Sequence, residues 1–474
     1  MPTTTIPATP SVAAPRPVAV ARVAYLVASA LLVGLLLTAS QVYLLDLPMW
    51  VYEGAALRAK VLGEAAGAAA LYPLKPYPVP NSASQVLLAL LVGLLGAVGA
   101  GKAVAVGVLA LGLWAVYRMC VRLHGPEGVV RALVLAATVI VSASYWNGYL
   151  NFQLGLAVLA LYGAVRARDG LAARPSAPVT AAFGVVLFFC HSVPFLAFAL
   201  GAGLEALGRR DARLVGALMP AALLSVAYVV GRAGGEAGVT EPFPDLATAV
   251  AYKGYTVLKL GPFVHFLQPD GSGTLDGAPL AYAALAGGAA LVVAVLGALL
   301  LRGAWRLRAE ARAGDSAGEA SEARARLAVV GLALGLALLA LPIPPVWLSV
   351  VNLGERLLAV ALLLLLAVVP MPRRALAALA LATVPFLAHD AAWLGSRAAP
   401  APAAVEADLA RRVARGHERQ PDPFAAQLAR EGGAVRFPWF VRNPYDQAAY
   451  TLAVERGVWD LPLPSTGLIA GTDP

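Results

Sequence analysis

Long apolar segments recur along the chain, and they limit the folds that it can adopt more than any other feature. Residues 23–45 contain no charged side chain, and about 20 apolar residues in a helix cross the hydrocarbon core of a bilayer. Such segments form helices because backbone groups in lipid must bond within the segment. Of the 474 residues, 59% are hydrophobic and 13% charged, whereas soluble domains carry roughly 25% charged residues. The sequence therefore predicts an all-α polytopic membrane protein that does not bind nucleic acid.

Eleven apolar segments are candidate transmembrane helices, chosen for length. They are residues 21–45, 103–121, 128–146, 150–166, 176–191, 193–208, 213–231, 279–301, 326–342, 355–370 and 374–393. The glycine-rich segment 85–102 is also apolar, and we interpret it as a re-entrant helix in the outer leaflet. This choice places most arginines of the loops on the inner side, as the positive-inside rule requires. The N-terminus is then cytoplasmic and the C-terminus extracytoplasmic, and the Ala/Arg-rich composition favours a bacterial inner (plasma) membrane.

Composition also divides the chain into regions. The large outer loops of the membrane domain are residues 46–101 and 232–278. The predicted regions are a disordered cytoplasmic tail (1–20), a transmembrane domain (21–393), an Ala/Pro linker (394–404) and a small extracytoplasmic domain (405–474). The last of these is either a separate small domain or a flap docked on the membrane domain.

Two acids follow the first apolar segment, in "DLPMWVYEG". If residues 47–60 are helical, Asp46 and Glu53 are seven positions apart and share a face. A carboxylate at a membrane surface can accept a proton from a hydroxyl nucleophile, so Asp46 is a candidate general base. The alternative is that Asp46 only caps the helix that starts at "DLP".

Basic and amide side chains lie at the predicted outer ends of other segments. Glu355 and Arg356 open the span at "NLGERLLAV", either as a salt bridge or with the arginine as a phosphate clamp. His191, in "LFFCHSVPFL", either bonds a loop carbonyl or helps to bind an anionic headgroup. Asn147 and Asn151, in "YWNGYLNFQLG", could bond a polar ligand, although aromatic belts explain most of that segment.

The layout resembles the GT-C superfamily of membrane glycosyltransferases. The resemblance rests on a signal anchor followed at once by an acid, a large first outer loop with "YPVPNSASQVLLALLVGLLG", and the later segments "FFCHSVPFLAFALGAGLEAL" and "NLGERLLAVALLLLLA". It covers residues 20–393 as layout, with weak local motifs.

The resemblance implies a function and roles for residues. Asp46 would be the general base for transfer of a sugar from a polyprenyl-phosphate donor, with inversion, to a glycan, lipid or protein acceptor, and Glu53 is the second candidate acid. Expected contacts to the donor phosphate are Arg356, His191 and Lys75, and expected contacts to the sugar or acceptor are Asn147, Asn151 and Tyr77. Many members of the superfamily carry two acids one residue apart, whereas Leu47 and Pro48 follow Asp46 here. Because the second acid is missing, the sequence neither predicts nor excludes a divalent metal. No other cofactor is expected beyond the lipid-linked sugar.

Two other function classes stay open. One is a non-catalytic GT-C-like subunit that associates with partner membrane proteins, which the absence of the second acid would suit. The other is a lipid or solute transporter, although few ionisable residues fall deep within the spans, where transport paths place them.

Overall fold

A computed structural model gives the arrangement of the chain. It describes residues 16–39, 42, 44, 46–64, 72–233, 240, 242–261, 280–313, 316–347, 350–396, 402–415, 448–459, 461 and 468. Several sequence predictions fall wholly or partly outside these residues. They concern the N-terminal tail, parts of both large outer loops, part of the Ala/Pro linker and most of the extracytoplasmic region.

The described residues are mainly helical. The helices are α1 (Arg16–Thr38), α2 (Leu47–Leu62), α3 (Ala83–His124), α4 (Gly128–Leu135), α5 (Ala143–Trp146), α6 (Leu150–Arg166), α7 (Ala177–Cys190), α8 (Ser192–Arg209), α9 (Ala212–Arg232), α10 (Leu246–Leu258), α11 (Leu280–Ala313), α12 (Ala317–Ala340), α13 (Leu353–Val368), α14 (Arg373–Ser396), α15 (Pro402–Arg415) and α16 (Ala448–Arg456). One antiparallel pair of two-residue strands, β1 (Val346–Trp347) and β2 (Val350–Val351), leads into α13.

Helices long and apolar enough to cross a membrane number five among the described residues. They are Val18–Thr38, Ala83–Ile140, Ala212–Arg232, Gly287–Ala313 and Ala317–Ala340. The chain is thus an all-α, multi-pass membrane protein, but the prediction of eleven spans is wrong by this measure. Two predicted spans form apolar helices of only 17 and 14 residues, α6 and α7. Another forms the 16-residue helix α13, and each is shorter than the ~20 residues that a perpendicular span needs.

The segment 85–121, predicted as a re-entrant helix and a separate span, consists of two helical parts of α3 that meet at a kink. Gly96, with φ +68° and ψ 177°, interrupts the helical backbone of α3. A positive φ is open to glycine because it has no Cβ, and nothing lies within 4 Å of the position that a Cβ would take. The sequence therefore indicated the change of direction in the right segment, although helical structure continues on both sides of it.

The predicted span 128–146 consists instead of three short pieces. The helix α4 continues into a π-helical turn, Ala136–Ile140, and α5 follows after Ser142. The hydroxyl groups of Ser142 and Ser144 lie 2.8 Å apart, and Gln153 Nε2 donates to Ser144 Oγ at 2.7 Å. These side chains satisfy polar groups where the regular helix ends.

Most side chains of α13 are buried, so this helix is packed among the others. Its last carbonyls have partners from other helices. Arg131 Nη1 donates to the carbonyl oxygens of Leu366 and Val369 at 2.5 and 2.8 Å, and His124 Nε2 lies 2.7 Å from the carbonyl oxygen of Ala367. These contacts satisfy backbone groups that a helix end otherwise leaves without partners, so they fix the C-terminal end of α13.

The C-terminal region docks on α2 through aromatic side chains. Tyr52 of α2 is fully buried, and its ring contacts those of Tyr72, Tyr450 and Trp459. The Tyr72 hydroxyl donates to the carbonyl oxygen of Leu461 at 2.5 Å. The described part of the C-terminal region therefore packs against α2, and the choice between a docked flap and a separate small domain stays a prediction.

Candidate functional site

Asp46 lies at the start of α2, against the hairpin between α5 and α6. Its backbone N–H donates to the carbonyl oxygen of Asn147 at 3.2 Å, and Trp50 Nε1 donates to the carbonyl oxygen of Gly148 at 3.0 Å. The hairpin can approach because Gly148 has no side chain, since a Cβ there would lie 2.8 Å from the Asp46 nitrogen. The Asp46 carboxylate makes no capping hydrogen bond to α2, so the structure does not support the capping interpretation.

Tyr149, the next residue of the hairpin, links Asp46 to the start of α13. The Arg356 guanidinium lies 4.3 Å from the centre of the Tyr149 ring, and Asn352 Nδ2 donates to the Tyr149 hydroxyl at 3.1 Å. Burial raises the pKa of Tyr149, and the charges of Arg356, Glu355 and Asp46 also act on this pKa. Asp46 and Arg356 are therefore both close enough to Tyr149 to influence its hydroxyl.

Side-chain nitrogen atoms of Arg356 and His191 lie close together. His191 Nδ1 accepts a hydrogen bond from the backbone N–H of Val193 at 3.1 Å, so a neutral ring carries its proton on Nε2. Arg356 Nη1 lies 3.3 Å from this Nε2. Burial, and then the Arg356 charge, hold the pKa of His191 well below its usual range, which keeps the ring neutral. With this tautomer both nitrogens are donors, and an acceptor oxygen within hydrogen-bond distance of the two would satisfy both.

Glu355 does not form the salt bridge with Arg356 that the sequence left open. Its Oε2 instead lies 2.5 Å from Nζ of Lys259, and both side chains are only 3% exposed. Among the described residues, no carboxylate lies within ion-pair distance of Arg356. Its Nε atom is buried and has no hydrogen-bond partner. The salt-bridge alternative is therefore not observed, and the phosphate-clamp alternative stays a prediction.

Glu53 is one of the most buried acids of the described chain, at 2% exposure. Gln85 Nε2 donates to its Oε2, and its Oε1 has no hydrogen-bond partner. Burial raises the pKa of Glu53 to about 8, Gln85 and Lys75 oppose this rise, and the Asp46 charge adds to it. The two acids proposed from the sequence are thus electrostatic neighbours, with Lys75 beside Glu53.

Buried polar atoms without hydrogen bonds concentrate in this region. Outside the hairpin, the starts of α3 and α13 and the middle of α2, the described part of the chain has none. They include Glu53 Oε1, Ser84 Oγ, Asn147 Nδ2, Glu355 Oε1 and Arg356 Nε. Native proteins bond nearly all buried polar groups, so a cluster of exceptions indicates a site that binds polar molecules.

Two predicted site residues have other contacts. Asn151 Oδ1 accepts from the backbone N–H of Ser84 at 2.7 Å, and its Nδ2 donates to the carbonyl oxygen of Asn81 at 2.8 Å. The Asn151 amide thus fixes the start of α3. Tyr77 packs against Tyr228 with ring centres 6.1 Å apart, near the C-terminal end of α9. A ligand contact for either residue stays a prediction.

Sequence reasoning missed several residues of the site. Tyr149 contacts Arg356, and Asn352 bonds the Tyr149 hydroxyl. Lys259 pairs with Glu355, and Gln85 bonds Glu53. A signal existed for Tyr149, which stands between the two asparagines already singled out. Lys259 lies 96 residues from its partner, and no pattern in the sequence joins the two.

No group of three or more His, Cys, Asp or Glu side chains that could hold a metal ion occurs among the described residues. No family model, curated protein or solved structure matches this chain.

Proposed function

We propose that this protein is a membrane glycosyltransferase of the GT-C type, which moves a sugar from a polyprenyl-phosphate donor to an extracytoplasmic acceptor. The observation that carries the proposal is the pair of converging donors, Arg356 and His191, beside Tyr149 and near the carboxylate of Asp46. A phosphate oxygen is the acceptor that such a pair requires, because arginine binds phosphate oxygens with its planar fork.

In this mechanism Asp46 takes the proton from the acceptor hydroxyl. The hydroxyl oxygen forms a bond to the anomeric carbon while the bond from that carbon to the phosphate oxygen breaks, with inversion. Negative charge grows on the departing lipid phosphate, and Arg356 stabilises it in a buried setting where electrostatic effects are strong. The start of α13 adds the positive end of its helix dipole.

Glu53 has a different role in this proposal. Its raised pKa keeps a large fraction of the side chain protonated near neutral pH, so it can donate a hydrogen bond to the sugar or the acceptor. The Asn147 amide, which has a buried donor without a partner, is the second candidate for such a contact.

The proposal includes an orientation. The site would face the extracytoplasmic side of a bacterial inner membrane, with the N-terminus in the cytoplasm. The asymmetric distribution of arginines in the loops supports this orientation.

The test is transfer of radiolabelled sugar from a panel of polyprenyl-phosphate donors in membranes containing the wild type or Asp46→Asn. We expect transfer by the wild type and a loss of at least 100-fold in the variant, within the range that a general base contributes. Asp169→Asn is the matched control, because Asp169 is exposed in a turn away from the site. All proteins must be equally abundant and folded.

The other outcomes are informative. Equal transfer by wild type and Asp46→Asn would retain the enzyme but exclude Asp46 as the base, and Glu53 would be tested next. No transfer from any donor would contradict the proposal. It would favour the alternatives of a non-catalytic subunit or a transporter, which pull-down and lipid-binding experiments would separate.

A further inference from the structure

The helix α10 and the residue after it, Lys259, make two polar contacts with the start of α13 and one with the segment that precedes the strand pair. The Tyr252 hydroxyl donates to Asn352 Oδ1 at 2.7 Å, and Lys259 pairs with Glu355. Lys253 Nζ donates to the carbonyl oxygens of Ala340 and Ile343, just before the strand pair, at 2.8 and 2.5 Å. A helix from the predicted outer loop 232–278 therefore holds the residues next to Arg356.

The ion pair between Lys259 and Glu355 affects which charges lie close to Arg356. Glu355 directly precedes Arg356 near the start of α13, and a carboxylate that reached the guanidinium would form a strong charge-assisted hydrogen bond with it. A carboxylate bound to Arg356 would occupy the donors that an anionic ligand needs. With Glu355 paired to a buried lysine, no carboxylate among the residues that the structure describes forms an ion pair with Arg356.

We propose that Lys259 is a positioning residue, which holds Glu355 away from Arg356 and so preserves the anion site that Arg356 and His191 form. This inference rests on the proposed function, because it concerns the same anion site. Lys259 itself does not touch the ligand in this arrangement. It acts through Glu355, on another helix and 96 residues away.

The test measures binding of farnesyl phosphate to the full-length protein in detergent, by ligand-induced thermal stabilisation. Farnesol, which lacks the phosphate, is the ligand control. We expect Lys259→Met to weaken binding at least tenfold, because Glu355 loses its counter-ion and turns to Arg356. Lys259→Arg, which keeps the charge, should bind as the wild type does.

The double variant Lys259→Met/Glu355→Gln separates the positioning role from a structural one. Removing the Glu355 charge removes the competitor, so binding should return to within about threefold of the wild type. If Lys259 only held α10 in place, Glu355→Gln would not restore binding. Lys253→Met is the matched control on α10, because it breaks a contact that does not involve Glu355, and binding should persist.

Results that contradict the proposed function differ from results that contradict only the role of Lys259. Wild-type protein that binds farnesyl phosphate no better than farnesol would contradict the proposed function. Wild-type binding with an unchanged Lys259→Met variant, or a double variant as weak as the single one, would overturn only the role of Lys259. Inorganic phosphate is tested in parallel. A Lys259-dependent response to it would support the inference and show that the phosphate group alone is recognised.

Discussion

The burial of Glu53 makes the stability of the whole protein depend on pH. Its carboxyl group is nearly inaccessible to solvent, and one of its oxygens has no hydrogen-bond partner. Burying the ionised carboxylate without a partner for this oxygen costs free energy, and burying the protonated acid costs less. The helical spacing from Asp46 indicated that the two acids share a side of α2, but burial could not be read from the sequence. It depends on Gln85 and on the C-terminal region.

The pH dependence of stability follows from the pKa of Glu53. Burial raises this pKa from 4.5 to about 8, so the folded state binds more protons than the unfolded state between these values. The contribution of Glu53 to the free energy of unfolding is therefore highest below pH 4.5 and falls as the pH rises through about 8. Glu53→Gln should flatten this fall and be more stable than the wild type at pH 8.5, by about 1–3 kcal/mol.

Thermal unfolding in detergent across pH 5–9 measures this effect. Glu64→Gln is the control, since Glu64 is half exposed and pairs with Arg58 at the end of the same helix. It should leave the pH profile as in the wild type. Parallel profiles for Glu53→Gln and the wild type would contradict the raised pKa.

Gly148 permits the contact between the hairpin and Asp46. It has φ +76°, a conformation that glycine adopts readily and other residues rarely adopt. Gly148→Ala should cost about 1–3 kcal/mol from backbone strain, and more from the contact of its Cβ with Asp46. We expect lower thermal stability and reduced sugar transfer. Gly107→Ala, at a helical position with open space, should be neutral or stabilising, and equal losses in both variants would contradict this account.

At the scale of elements, the sequence predicted helices well but not where each ends. Gly96 marked a bend that composition indicated. The π-helical turn at 136–140 has no Gly or Pro to reveal it, because its cause is packing against neighbouring helices. The meeting of Arg356 and His191, 165 residues apart, was expected only insofar as both belong to predicted outer span ends. Contacts such as Lys259 with Glu355 depend on how α10 packs, which local sequence does not encode.

The Tyr72 hydroxyl group takes part in the docking of the C-terminal region on α2. Tyr72 Oη contacts Tyr52 Oη at 3.1 Å and lies within hydrogen-bond distance of the carbonyl oxygens of Trp459 and Leu461. Tyr72→Phe keeps the ring but leaves buried acceptors unsatisfied, at a cost of about 1–3 kcal/mol. We expect faster amide hydrogen exchange in residues 448–461 with little change in the membrane helices.

The control for this experiment is Tyr228→Phe. The Tyr228 hydroxyl accepts a hydrogen bond from Arg232 in an exposed position, so its loss should leave exchange in residues 448–461 unchanged. If Tyr72→Phe also leaves that exchange unchanged, aromatic packing alone holds the segment.

At the scale of the whole molecule, composition sufficed to predict a multi-pass helical membrane protein. The number of spans was overestimated because apolar length was counted without regard to helix breaks. Some apolar segments, such as α13, are apolar since other helices surround them. Hydropathy does not distinguish contact with lipid from contact with protein.

Orientation in the membrane can be tested with single cysteines. Cys120 and Cys190 are both buried and free, so they are replaced by serine to give a cysteine-free background. Pro73→Cys lies in the predicted outer loop and Asp169→Cys in a predicted inner turn, and both positions are exposed. A membrane-impermeant maleimide should label Pro73→Cys in intact cells and Asp169→Cys only after permeabilisation. The reverse pattern would invert the predicted orientation.

The helix α13 also has a mechanical consequence. Its 16 residues form a helix about 24 Å long, with Arg356 near the start. Arg131 and His124 contact the backbone carbonyl oxygens at its other end. The contacts of Arg131 and His124 tie the C-terminal end of α13 to α4 and α3, while Tyr252 and Lys259 hold the end that carries Arg356. A displacement of α3 or α4 would therefore act on the same helix that positions Arg356.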